Sequence, residues 1–220
     1  MMKRRFLGLC LAFLVSAAFS ACSVVTFSQN KSGALVISEV VSSNKRSLVD
    51  DVMGSPDWVE LYNGTSAPVN LSGCGLSDNL RDLHKYTFPD VTIEAGGYLI
   101  VYATDDSAAG QTNVCCTGFG LSKSGDYLFL TDAYYNLLQQ LEVPALITDV
   151  SYARTGNGAY GYCAQPTPGQ GNAGDVASSL NALFQNQSLT DLSVTEVLPA
   201  AAGGYPWVEL YNGGNTQLRL

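Results

Sequence analysis

Six consecutive residues, Trp-Val-Glu-Leu-Tyr-Asn, occur twice in this chain of 220 residues, once at 58–63 and again at Trp207–Asn212, each time followed by Gly. Val, Tyr and Trp suit a pleated, half-buried strand, and Asn-Gly supplies a turn that ends it. Alternation puts Val59 and Leu61 on one side of the first copy, with Trp58, Glu60 and Tyr62 on the other. Recurrence of a whole strand with its stop signal marks a repeated structural unit, and it restricts the chain to folds that such a strand can seed.

The surrounding sequence agrees. Short β-rich runs at Leu35–Val41, 69–71, Gly75–Ser77, 86–88, Tyr98–Ala103, Asp126–Thr131, Leu137–Val143 and 150–153 are separated by turn residues such as Gly73, Asp78-Asn79, Pro89 and Ala95-Gly96-Gly97. With 22 Gly and 12 Tyr in a chain that is 46% hydrophobic, the composition is that of a β protein punctuated by glycine. No helical pattern intervenes between the strands, which argues against a parallel α/β sheet and for an antiparallel sandwich or barrel.

Residues 1–22 are set apart. Lys3, Arg4 and Arg5 precede an apolar run over 6–19 and then Phe19-Ser20-Ala21-Cys22, the layout of an export signal. The apolar run is shorter than the roughly 20 residues that a spanning helix needs. The Cys directly after small residues resembles a bacterial lipobox, with Phe19 where Leu is usual. The resemblance implies cleavage before Cys22, lipid on that residue, and residence on the extracytoplasmic face of a bacterial membrane. Residues 23–33 then read as a short tether.

Export removes three of the 11 basic residues and none of the 19 acidic ones, leaving eight against 19 and a net charge of −11. Nucleic acid is therefore not expected as a partner, since phosphate contacts require a basic face. Beyond Cys10 and Cys22 the chain has Cys74, Cys115, Cys116 and Cys163. In an oxidising compartment these are candidates for two disulfides, with Cys115 and Cys116 each stapling a different distant segment. Buried thiols are the alternative. Zinc has the weaker case, because no C-x-x-C spacing occurs and His84 is the single histidine.

The order and spacing of several short motifs are more specific. Ile37-Ser38-Glu39-Val40, the stretch 57–63, Leu71-Ser72-Gly73, Leu76-Ser77-Asp78, Phe88-Pro89, Ala95-Gly96-Gly97-Tyr98, Gly125-Asp126, Tyr152-Ala153-Arg154 and Pro166-Thr167-Pro168-Gly169 with Asn172 resemble the bacterial lamin tail domain across residues 34–172. Cys74 stands where that family usually has Trp. The resemblance implies an immunoglobulin-like antiparallel β-sandwich of about a hundred residues or more. It also implies a rival function, because such domains accompany CotH-type kinases, nucleases and phosphatases in secreted proteins.

Residues 173–191 turn to Ala, Ser, Asn and Gln and read as a linker, with a short helix capped by Asp175 and showing Val176, Leu180, Leu183 and Phe184 at helical spacing. From 192 to 220 the start of a second lamin-tail-like unit is expected, Thr195-Glu196-Val197 matching Ser38-Glu39-Val40 and Leu220 falling opposite Leu71. Two or three strands cannot bury both faces of a sandwich. The expectation is a truncated second repeat, in the front part of a longer protein.

Motifs that could carry chemistry are sparse. Gly156-Asn157-Gly158-Ala159-Tyr160-Gly161 fits a dinucleotide fingerprint but opens no helix, and Ser28-Gln29-Asn30-Lys31 lacks companion motifs. His84 reads as solvated, and Asp50-Asp51 and Asp105-Asp106 as solvated loop pairs rather than calcium ligands. No catalytic residue, metal or cofactor is assigned. The candidate ligand-facing residues are Trp58, Glu60 and Tyr62, an aromatic stripe around a carboxylate, against the reading that they simply cover a neighbouring segment. A lipid-anchored, non-catalytic binding or attachment module follows, with the membrane and an extracellular protein or polysaccharide as partners. The alternative is the targeting part of a larger secreted enzyme.

Overall fold

A computed structural model of the chain describes residues 34–105, 115–172, 174, 176–185, 191–199 and 205–214. Residues 1–33, on which the expected export signal over 1–22, the expected tether over 23–33 and Cys22 fall, lie outside the described residues. Strands β1 (Leu35–Val41) and β2 (Asp57–Asn63) form the first hairpin. Four short strands follow: β3 (Val69–Asn70), β4 (Gly75–Ser77), β5 (Tyr86–Thr87) and β6 (Thr92–Ile93). Next come β7 (Tyr98–Ala103), β8 (Cys115–Cys116), β9 (Asp126–Thr131) and β10 (Leu137–Val143). The large sheet is extended by β11 (Ser151–Arg154), β12 (Tyr160–Cys163) and β13 (Val176–Ala177). Helix α1 (Leu180–Gln185) then leads to a second hairpin, β14 (Leu192–Leu198) and β15 (Trp207–Asn212).

Two sheets face each other. The seven-stranded sheet runs β13-β12-β11-β1-β2-β7-β8 and the four-stranded sheet β10-β9-β4-β5, antiparallel throughout except for the parallel pair β7 and β8. Ile37, Val40, Val59, Leu61 and Val101 of the large sheet meet Leu76, Leu128, Leu130, Leu141 and Val143 of the small one in a single buried core. This is the immunoglobulin-like sandwich that the resemblance implied, and of the sandwich or barrel expected from the strand pattern it is the sandwich.

Several details differ from expectation. β12 begins inside the glycine-rich run, where Thr155 and Ala159 close a turn. Gly161 is required there, because a Cβ would come within 2.5 Å of the Ala177 carbonyl oxygen on β13. The segment after Asn172 is therefore not only a linker: Val176 pairs with Cys163 in the sheet and is not a helical position. The helix starts at Leu180, and its cap is Ser179, whose Oγ accepts from the Ala182 N–H at 3.1 Å. His84 is not solvated but half-buried, its ring stacked on Tyr135 with centroids 3.6 Å apart.

The four cysteines are thiols, which corrects the disulfide expectation. Cys163 on β12 and Cys115 and Cys116 on β8 lie five strand spacings apart in the sheet, roughly 24 Å at about 4.8 Å per strand. A disulfide needs Cα atoms within about 7 Å. Adjacent residues of a strand also point to opposite faces. Cys115 faces the core between the sheets and Cys116 packs with Met53 on the other side.

Candidate functional site

The first hairpin brings two buried acidic side chains, Glu39 and Glu60, opposite each other. Ile37 pairs with Leu61 but Glu39 pairs with Glu60, so Ser38 is an extra residue in β1. This β-bulge resets the alternation. Ile37 and Val40, three apart, both enter the core, and Glu39 and Val41 turn to the face that carries Glu60 and Trp58. The backbone groups displaced at the bulge find other partners. The Ile37 N–H donates to Gln139 Oε1 at 2.8 Å, reached from the small sheet, and the Tyr160 hydroxyl donates to the Ile37 carbonyl.

Trp58, Glu39 and Glu60 are fully buried, and Tyr62 is half-buried against Tyr98. The outward stripe at Trp58, Glu60 and Tyr62 is thus not a solvent-facing surface, which corrects its candidacy as a ligand face. Its coverings are the neighbouring loops. Over Trp58 lies the loop after β1, with Leu48 and Met53 packed onto the ring and the indole N–H donating to Ser47 Oγ at 3.2 Å. Asn44 and Asp149 hold that loop in shape: Asn44 Nδ2 donates to the Pro56 carbonyl, and the Lys45 and Arg46 N–H groups donate to Asp149 Oδ1, each at 2.8 Å. Asp50 receives the Val52 and Met53 N–H groups of its own turn.

Over the two glutamates lies a strap, residues 166–172. The Thr167 N–H donates to Glu39 Oε2 at 3.0 Å and the Gly169 N–H to Glu60 Oε2 at 2.6 Å. Gly169 has φ of 76°, a conformation that glycine adopts without strain. From below, the Ser151 hydroxyl donates to Glu39 at 2.5 Å and the Ser38 hydroxyl to Glu60 at 2.8 Å. Asn172 Nδ2 anchors the end of the strap on the carbonyls of Ser38 and Arg154, both at 3.0 Å. Burial raises both carboxyl groups. Glu60 is pushed up to about 7, first by burial and then by the negative charge of Glu39, against the hydrogen bonds from Ser38 and Gly169. Glu39 shifts in the same direction for want of solvent.

Two neighbouring carboxyl groups with raised pKa suggest an acid–base pair. Here they are sealed from solvent and their oxygens receive donors of the protein itself, so the arrangement fastens the strap to the hairpin and presents nothing to a substrate. The sequence left the stripe at Trp58, Glu60 and Tyr62 open between a ligand face and a cover for a neighbouring segment, and the second reading holds; it gave Glu39 no role. The signal that could have found the clasp was the joint presence of Ser-Glu, Trp-Val-Glu and Thr-Pro-Gly with Asn172.

The second hairpin is the counterpart of the first. Val194 pairs with Leu210 and Glu196 with Glu209, with the same register shift between them, and the Thr195 hydroxyl donates to Glu209 at 2.5 Å as Ser38 does to Glu60. Its burial is reversed, with Trp207 43% and Tyr211 59% exposed. The stripe of two aromatic residues around a carboxylate is therefore displayed by the chain, at Trp207, Glu209 and Tyr211.

A family model described as Lamin Tail Domain matches residues 28–145. The donors of the strap, Thr167, Gly169 and Asn172, fall beyond the matched segment. No curated protein and no solved structure matches the chain.

Proposed function

The chain belongs to the lamin tail domain family, and on that premise we propose that it is a non-catalytic binding and attachment module held on the outer face of a bacterial membrane by lipid on Cys22. The observation that carries this reading is the use of Glu39 and Glu60. The best-qualified acidic pair of the sandwich is closed under residues 166–172 by donors from the protein, as a rigid scaffold requires and a hydrolytic site does not. Lys3, Arg4, Arg5, the apolar run and Ser20-Ala21-Cys22 support export and lipid attachment. Its partners are then the membrane on one side and an extracellular protein or polysaccharide on the other.

Mass spectrometry of the mature protein is the test. The expected product starts at Cys22 carrying diacylglycerol, and Cys22→Ser releases the protein from the membrane fraction. A mature N-terminus at another residue, unmodified, would overturn the anchoring.

A further inference from the structure

We propose that residues 166–172 are a proton-operated latch on the large sheet, closed while Glu39 and Glu60 hold one proton between them and opening when both are ionised. The geometry that carries the inference is a row across the sheet: Ala153 pairs with Glu39, Glu39 with Glu60, and Glu60 with Ile100. Neither glutamate has any exposed surface, and the row gives the pair an apolar neighbour on either side. Among the described residues neither has a cationic partner. Like charges directly opposite each other on paired strands repel, and two carboxyl groups in one dry site resist ionising together.

The strap is the part of the fold that answers to this charge. Pro166 and Pro168 have no N–H to give, and the N–H groups of Thr167 and Gly169 go to Glu39 and Glu60. A turn from the Gln170 N–H to the Thr167 carbonyl and the Asn172 side chain add to that hold. Residues 164–172 carry no ionisable side chain. On the face of the pair lie Tyr62 on β2, Tyr98 and Tyr102 on β7, both lifted first by burial, and Cys163 on β12, opposite Ser151. Arg154 follows Ala153 on β11 and so turns to the other face. Opening the strap returns water to the row and the carboxyl groups toward their ordinary value of 4.5, whereas Glu60 under the closed strap is pushed up to about 7, first by burial. Burial raises Glu39 in the same direction. The closed form therefore keeps a proton that the open form releases. Closure is most favourable below pH 4.5, weakens as pH rises to about 7 and is level beyond.

Amide hydrogen exchange on the full mature chain is the test, each rate divided by the intrinsic rate at that pH. From about pH 5 to about pH 8 the protection of the Thr167 and Gly169 amides should fall about tenfold or more. At both ends it should lie below that of Leu128 and Leu130 in β9, since a latch opens without the sandwich. Glu60→Gln keeps the shape of the side chain and takes up no proton, so its strap should be equally protected throughout. Strap protection that ignores pH, strap amides as protected as those of β9, or the same loss in Glu60→Gln overturns the proposal. Should Glu60→Gln not fold, carbon-13 titration of the carboxyl groups in the natural chain decides. A Glu60 carbon that titrates near neutrality supports the latch, and both glutamates titrating at the ordinary value overturn it. None of these outcomes bears on the lipid at Cys22, so the anchoring stands or falls separately.

Discussion

The two hairpins of this protein share a strand sequence, a register and a bulge, and they differ in nearly every measure of environment. In β1 all seven residues are buried, whereas in β14 all but Leu192 are exposed. Trp58 has no exposed surface and Trp207 has 43%. Burial is thus conferred by what lies alongside: β7 and β11 on the two edges of the first hairpin, the small sheet on one face, and the loop after β1 with residues 166–172 on the other. Strand sequence decides local geometry, and distant segments decide energy.

The sharpest way to break that comparison is to make the same substitution in each copy. Leu61→Ala removes a fully buried side chain and should cost about 2–5 kcal/mol in chemical denaturation, while Leu210→Ala should stay within about 0.5 kcal/mol. Equal effects would mean that the second hairpin is as well packed as the first.

Next in size is the clasp. Glu60→Ala leaves the Ser38 hydroxyl and the Gly169 N–H without their acceptor, at about 1–3 kcal/mol, and Glu209→Ala should again be nearly silent. This revises the expectation from alternation alone, which made Glu60 a surface residue.

A third contrast lies in pH dependence. Glu60 titrates at about 7 in the fold, from an ordinary value of 4.5. Between those values the folded chain keeps a proton that the unfolded chain has released. The Glu60 contribution is therefore most favourable below pH 4.5, declines as pH rises to about 7 and is level beyond. Denaturation midpoints across that window should fall for the natural chain and fall less for Glu60→Gln, with Glu209→Gln leaving the slope as it was.

The strand pattern carried the sandwich because Val59, Leu61, Leu128, Leu130, Leu141 and Val143 alternate locally, and alternation is a property of neighbours in sequence. What stayed hidden depends on partners far along the chain. Trp58 and Glu60 read as outward because nothing near them announces that residues 44–53 and 166–172 will lie on top. β12 was obscured by Gly161, which weakens a strand signal although the approach of β13 demands it. Val176 has helical spacing to Leu180, yet Ser179 caps the helix after it and Cys163 claims Val176 for the sheet. The cysteines matched a disulfide pattern by count, while the order of strands holds Cys163 away from Cys115 and Cys116.

The strap over Glu39 and Glu60 also sets an order of events. Its bonds join residues 109 to 134 positions apart, so the hairpin that begins the domain is finished by residues that are synthesised last. Until Thr167 and Gly169 arrive, two carboxylates at the heart of the large sheet have only serine hydroxyls to satisfy them, and early closure of the sheet is penalised. A chain with so many distant contacts folds slowly. The clasp that locks the domain therefore forms only once residues 166–172 have come back over the first hairpin.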